Sequence, residues 1–330
     1  MDLVSPPVGN SSNASASCLT EDKHVAIAVL LCLVVFVGFL LNIFSLWVFC
    51  CRIPCWTSGT TLQFHLALND TIMTPVTPLI AAYFVLGNNW PFGRFLCQVK
   101  IGLLSSHFYG STMFLTLISI HRYVAVVHFN RSSCFKRKVF VRRLCAAVWS
   151  VLLVQAVVHA AMLPSSKEGG SNQCLTIHQR NLTDSYFIIN FIRFIFGFLL
   201  PFCVSAACYG RVASTLTRLN ISSSKGLKVK LKSQRMIGVC LVIFGLCFLP
   251  MNVARTVGVI LKKYYPRRCH ALQQIETAYY ASWILAGINC CLDPLLYFFG
   301  SQNFRDAFQS LRMGQEEAPN RSESEMTTNQ

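Results

Sequence analysis

Charge is scarce in this 330-residue chain. Asp, Glu, Lys and Arg together make up 13%, and only 13 acids stand against 29 Lys and Arg. Soluble domains carry about 25% charged residues, so a pair of soluble domains of this total length is excluded. No cleavable signal peptide is expected either, because MDLVSPPVGNSSNASAS is polar and the first apolar run starts near Val25. No inverted repeat and no paired broken helices are visible, which argues against a transporter. The apolar runs hold no nucleophile–base pair and no metal-spaced His/Cys set. His24, His65, His107 and His159 are scattered along the chain, which argues against a membrane enzyme.

What is present is apolar, since hydrophobic residues make up 53%. They gather in runs long enough to cross a bilayer at ~1.5 Å per residue. The pattern predicts an all-α membrane protein. Apolar helices are expected from about Val25 to Cys50, Thr60 to Leu86, Cys97 to His128 and Val139 to Leu163. Three more are expected from about Ser185 to Thr217, Leu231 to Leu261 and Ala271 to Phe299. Pro75 and Pro78 should kink the outer half of the second span. Ser165 to Asp184 reads as a polar, Gly-containing loop. Asn303 to Gln309 is amphipathic, with Phe304, Phe308 and Leu311 on one stripe, and predicts a short eighth helix on the membrane surface within 300–313. Residues 1–24 read as a flexible tail, 25–299 as the bundle, and the polar, acidic 314–330 as a disordered tail.

The formal charge of +16 could suggest nucleic acid. Most Lys and Arg, however, sit in short loops beside apolar runs, so the lipid bilayer is the expected partner and nucleic acid is not. The positive-inside rule places these loops and the C-terminus in the cytosol, and the N-terminus outside. One cluster breaks the trend on the outer side: Lys262, Lys263, Arg267 and Arg268. Asn10, Asn13 and Asn181 begin sequons on the outer side and are expected to be glycosylated; Asn130, Asn220 and Asn320 fall inside. Most of the 16 cysteines lie in apolar runs as small hydrophobes, but Cys18, Cys97, Cys174 and Cys269 lie near outer ends.

The third span carries Cys97 at its outer end and His121-Arg122-Tyr123 at its inner end, 25 residues from Cys97 to Arg122. Other marks follow in order: Gly38 and Asn42, Leu66 to Asp70, Trp90 to Gly93, and Trp149. Further on come Pro201 and Tyr209, then Phe244, Cys247, Phe248 and Pro250, then Asn289 and Asp293-Pro294-Leu295-Leu296-Tyr297. Taken together, almost the whole chain resembles the rhodopsin-like G-protein-coupled receptors. His121-Arg122-Tyr123, Asn289 to Pro294, Pro78 and Arg255 make it most similar to the nucleotide-, lipid- and carboxylate-sensing (purinergic-like) branch.

That resemblance implies a seven-helix bundle at the plasma membrane. It implies a heterotrimeric G protein as partner, with arrestin and receptor kinases as further ones. It pairs Cys97 with Cys174, and Cys18 with Cys269 as in several relatives; both bonds need an oxidising side. It assigns Asp70, Ser111, Asn289 and Asp293 to a sodium or water-mediated site, and no other cofactor is expected. Arg122, Tyr209 and Tyr297 match the family's inner switch, and Phe248 with Pro250 its hinge in the sixth span. The acid that usually precedes the switch arginine is replaced by His121. That departure leaves open a receptor with raised basal activity, or a decoy that binds without coupling.

Arg193 and Arg255 bear most directly on the ligand. Both lie roughly 9–12 Å below the outer rim at ~1.5 Å per residue. A buried arginine costs about 2.5–3.5 kcal/mol at a helix centre. An anionic ligand would offset that cost, and so would pairing with Glu276. Lys100, His107, Tyr109, Tyr279, Tyr280 and Trp283 complete the expected pocket. No acid stands between Lys100 and Ser105, where amine receptors of the family hold their ligand, so an amine ligand is not expected.

Overall fold

The computed structural model describes residues 25–87, 89–128, 133–162, 166–168, 171–174, 183–218 and 224–310. Asn10, Asn13, Asn181, Cys18 and the 314–330 tail lie outside them. Among the described residues, six helices are long and apolar enough to cross a membrane, and a divided segment after the first of them makes the second of seven spans. The first is α1 (Val25–Cys51). The second span is divided into α2 (Ser58–Thr71), a 3-10 turn (Thr74–Val76) and α3 (Thr77–Val85). The third is α4 (Gly93–Val127) and the fourth α5 (Lys138–Met162). Between the fourth and fifth spans, β1 (Ser166–Glu168) pairs antiparallel with β2 (Ser171–Gln173), so a stretch expected to be plain loop holds a small hairpin.

The fifth span runs through α6 (Thr183–Ile192), a π-helical segment (Arg193–Leu199) and α7 (Leu200–Arg218). The sixth runs through α8 (Ser224–Val242), a π-helical segment (Ile243–Phe248) and α9 (Leu249–Tyr264). The seventh is α10 (Cys269–Gly300). Residues 302–310 form α11, the expected surface helix. Its start is capped by Ser301, whose hydroxyl accepts the Phe304 N–H at 3.2 Å. Phe304 is buried against Phe49 and Tyr297, with ring centres 5.2 and 6.1 Å away.

Prolines shape the spans in the way their missing N–H requires. Pro75 and Pro78 fall at the starts of the 3-10 turn and of α3, where the missing donor is tolerated. Pro201 lacks the proton that Gly197 O would accept four residues back. The structure supplies another donor, the Thr112 hydroxyl of α4 at 2.9 Å. Pro294 likewise frees Cys290 O, which accepts the Asn42 amide of α1 at 2.8 Å. That contact draws α1 onto α10 at Gly38, where a Cβ would lie 2.6 Å from Cys290 Cβ. Only glycine fits there without displacement. Both π-helical segments end just before a proline turn, at Pro201 and Pro250, where the ladder must change register.

The outer surface of the bundle is apolar. Leu33 is 58% exposed, Leu153 66% and Phe196 61%. In water such a belt would drive aggregation, whereas hydrocarbon solvates it.

Candidate functional site

The bundle holds two buried polar chambers. The outer one is built by α4, the π-helical segment of the fifth span, and α9. The guanidinium carbons of Arg193 and Arg255 each lie 5.7 Å from the centre of the Tyr109 ring. They are therefore no farther apart than twice that distance. Tyr186 and Tyr279 complete the surround of both arginines. Arg255 is 6% exposed and donates to Asn252 Oδ1 at 3.2 Å, while its Nε has no hydrogen-bond partner among the described residues.

Local sequence explains the arrangement. Asn252 and Arg255 are three apart and share a face of α9. Tyr186 precedes Arg193 by seven residues, two turns along the same face, and that spacing could have revealed it from sequence. Gly197 lets the Tyr109 ring lie against the fifth span, since a Cβ there would come within 2.4 Å of the ring.

Beside this chamber stands an aromatic wall. The Trp283 ring centre lies 5.5 Å from Tyr279, 5.3 Å from Tyr280 and 6.5 Å from Phe84. Glu276, the alternative partner considered for the arginines, is buried beside Tyr280 and Tyr83. Lys100 turns away from the arginines. It donates to Cys174 O at 3.0 Å and lies over the rings of Tyr83 and Trp90 at 5.1 and 4.8 Å. Its hydrogen bond thus fastens the backbone at the Cys97–Cys174 disulfide, which is formed. Cys269 is also disulfide-bonded, and its expected partner Cys18 lies outside the described residues. At the rim, Lys263 meets Asp184 at 2.9 Å.

The middle chamber is acidic. Asp70 of α2 and Asp293 of α10 are both fully buried, with their carboxyl groups against each other. Ser111 donates to Asp70 Oδ1 at 3.3 Å and Asn289 to Asp293 Oδ2 at 3.1 Å. The four residues expected at a cation site are therefore brought together. His107 joins them rather than the outer chamber, with Nε2 3.8 Å from Asp70 Oδ1 and 3.1 Å from Cys290 Sγ. The chain spacing shows no metal-spaced His/Cys set, but packing assembles one from three spans. Nothing in the order of residues marks the Cys290 thiol as a member of it. Asn69 fastens the third span here, donating to His107 O and to Ser111 Oγ, both at 2.9 Å.

The inner end completes the set. Tyr209 donates to Cys240 Sγ at 2.7 Å, and both stand beside Arg122. Tyr297 is turned toward Asn42, whose Oδ1 is 3.4 Å from its hydroxyl. His121 packs toward α2 near Gly59. Phe248 and Phe244, 6.3 Å apart, continue through Phe202 to Phe198 as an aromatic ladder between the fifth and sixth spans.

Comparison with known proteins decides what this bundle is. The family model "7 transmembrane receptor (rhodopsin family)" matches residues 41–297. The chain belongs to that family. It is 35% identical to human purinoceptor 2 over 286 residues, 85% of this chain and 74% of that protein. Against rat purinoceptor 4 it is 31% identical over 318 residues, 95% of this chain and 86% of the relative. Against chicken lysophosphatidic acid receptor 6 it is 30% identical over 294 residues, 87% and 94% of the two chains. The protein is thus a multi-pass plasma-membrane receptor and not an enzyme, with a G protein inside and a small-molecule ligand outside.

Proposed function

We propose that this receptor recognises an anionic small molecule of the nucleotide or lysophospholipid class in its outer chamber. Arg193 and Arg255 bind the charge, and the signal passes to a heterotrimeric G protein. One observation carries the reading: two guanidinium groups are held within 5.7 Å of one buried tyrosine ring. Two cations repel at this range in a medium of low dielectric, so a bound anion would relieve both burial and repulsion. A phosphate suits the site because each guanidinium offers a planar fork of donors. The adjacent wall of Tyr279, Tyr280, Trp283 and Phe84 would take the apolar or aromatic remainder of the ligand. Relatives named for purines and for lysophosphatidic acid agree with this chemistry.

In this reading the N-terminus is extracellular and the rim cations gather anions at the mouth. Opening of the sixth span admits a G-protein helix into an inner groove, and arrestin and receptor kinases act on the same inner face. The test is a panel of nucleotides, lysophospholipids and small dicarboxylates, read by a G-protein dissociation sensor on wild type and on Arg255→Ala. An anionic agonist whose potency collapses in the variant is expected. An agonist that ignores both Arg193 and Arg255, at normal surface expression, would show that the two arginines are structural.

A further inference from the structure

We propose that the middle chamber is a transition-metal site that takes a divalent ion of the zinc class through Asp70, His107 and Cys290. The family resemblance implies sodium at this place; beside the oxygens expected for it stand an imidazole and a thiol. The site shares no residue with the outer chamber, so it stands or falls apart from the anionic-ligand reading.

The geometry suits a small tetrahedral ion. A carboxylate oxygen, an imidazole nitrogen and a thiol sulfur all lie within 4.8 Å of one another. His107 Nε2 is 3.1 Å from Cys290 Sγ and 3.8 Å from Asp70 Oδ1. Tetrahedral zinc has bonds of about 2.0–2.2 Å to nitrogen and oxygen and about 2.3 Å to sulfur, which sets its ligands about 3.3–3.7 Å apart. The two observed distances bracket that value, so small side-chain rotations would close the site.

The imidazole and thiol favour a softer ion. Sodium would use only the oxygens of Asp70, Ser111, Asn289 and Asp293, whereas zinc and cobalt also accept nitrogen and sulfur. The chamber also holds further oxygens: the carboxyl groups of Asp70 and Asp293 lie against each other, both fully buried. One of these oxygens, or a water, can complete a fourth ligand position.

The charges balance. On binding, the S–H bond of Cys290 breaks, the sulfur–metal bond forms, and that proton leaves to solvent, while the proton shared by the two carboxyl groups stays on Asp293. No electron is transferred. The thiolate and the Asp70 carboxylate then cancel the charge of a divalent ion, which matters in an interior where net charge is expensive. The three ligands stand on α2, α4 and α10, so a bound ion would tie three spans together.

The experiment uses the full-length receptor in lipid nanodiscs, stripped with a chelator and then given Zn2+ or Co2+ alone. Wild type should retain about one more metal equivalent than Cys290→Ser or His107→Gln, and metal affinity should fall at least tenfold in each variant. Zn2+ should raise the melting temperature of wild type and leave both variants unmoved. Co2+ should give wild type a thiolate-to-metal charge-transfer band that Cys290→Ser lacks. Equal retention by wild type and variants would mean adventitious binding at other cysteines and would overturn the proposal. So would stabilisation by Na+ with none by Zn2+. Should a variant fail to fold, wild type still decides, because absence of the cobalt band there is equally fatal.

Discussion

The two buried chambers make opposite use of the same scarce resource. The outer one presents arginines, Arg193 and Arg255, walled by the phenol rings of Tyr109, Tyr186 and Tyr279. The middle one presents acids, Asp70 and Asp293, surrounded by Ser111, Asn289, His107 and Cys290. A protein selected only for stability would have paired opposite charges within one chamber. Here like charges are instead gathered, arginines in one place and acids in the other. The difference teaches that buried charge of each sign is gathered by a different set of helices, which is why the proposed anion and the proposed cation fall at separate places.

Substituting the outer chamber should have the largest effect. Removing a charge-assisted contact from a desolvated pocket costs ~2–5 kcal/mol, or about 30-fold and more in affinity. Arg255→Ala and Arg193→Ala should each shift agonist potency by that much at equal surface expression. Arg255→Lys should recover part of the loss, because an ammonium cannot replace the fork. Concentration–response curves check this; a full rescue by lysine would show that the contact is not bidentate.

The next effect belongs to the middle chamber and should leave the ligand contacts alone. Gly38→Ala places a methyl group 2.6 Å from Cys290 Cβ, and overpacking of this kind costs about 1–3 kcal/mol. A lower melting temperature with near-normal agonist potency in the folded fraction is expected. A potency loss as large as that of Arg255→Ala would mean that the chambers are not separable.

Smaller again is the inner switch. His121→Asp gives Arg122 an adjacent acid in place of a surround of Tyr209 and Cys240. Basal G-protein activation should fall a few-fold, on the order of 1 kcal/mol in the resting equilibrium. A basal signal that stays level or rises at matched expression would sink the idea.

Smallest is the rim. Arg267 is exposed, so Arg267→Ala should change potency little and act through on-rate, with the effect fading in high salt. Lys263→Ala is a less clean control, because it also breaks the contact with Asp184. Should Arg267→Ala match Arg255→Ala, the anion would be held at the mouth and not in the chamber.

Much of the fold was legible because lipid imposes a simple rule on sequence: a span must be apolar and about 20 residues long. Seven runs, the prolines of the second span and the stripe of Phe304 and Phe308 all follow from that rule. The second span shows its limit, since Pro75 and Pro78 do not merely kink it but divide it with a 3-10 turn. The sixth shows another: its helix begins at Ser224, seven residues before the expected Leu231, inside the basic stretch. Lys and Arg are good helix formers, so apolar character marks where a span enters lipid and not where its helix begins.

The chambers were less legible, for a geometric reason. Arg193 and Arg255 stood out because a charge in an apolar run is visible from composition alone. Lys100 and His107 stood out for the same reason, yet one supports the disulfide and the other faces Asp70. Direction around a helix decides between such fates, and neighbours on other helices set that direction.

Sequence by itself determined the class of this protein, its number of spans and the identity of its buried charges. Each of these depends on composition and order along one chain. Only the tertiary structure decided which charges share a chamber. Asp70, His107 and Cys290 are far apart in the chain and belong to three helices, and no spacing rule links them. They converge because Asn69 holds the third span, and because Pro294 frees a carbonyl for Asn42 and brings α1 against α10 at Gly38. Packing contacts of that kind act between helices, where the order of residues along the chain carries no information about distance.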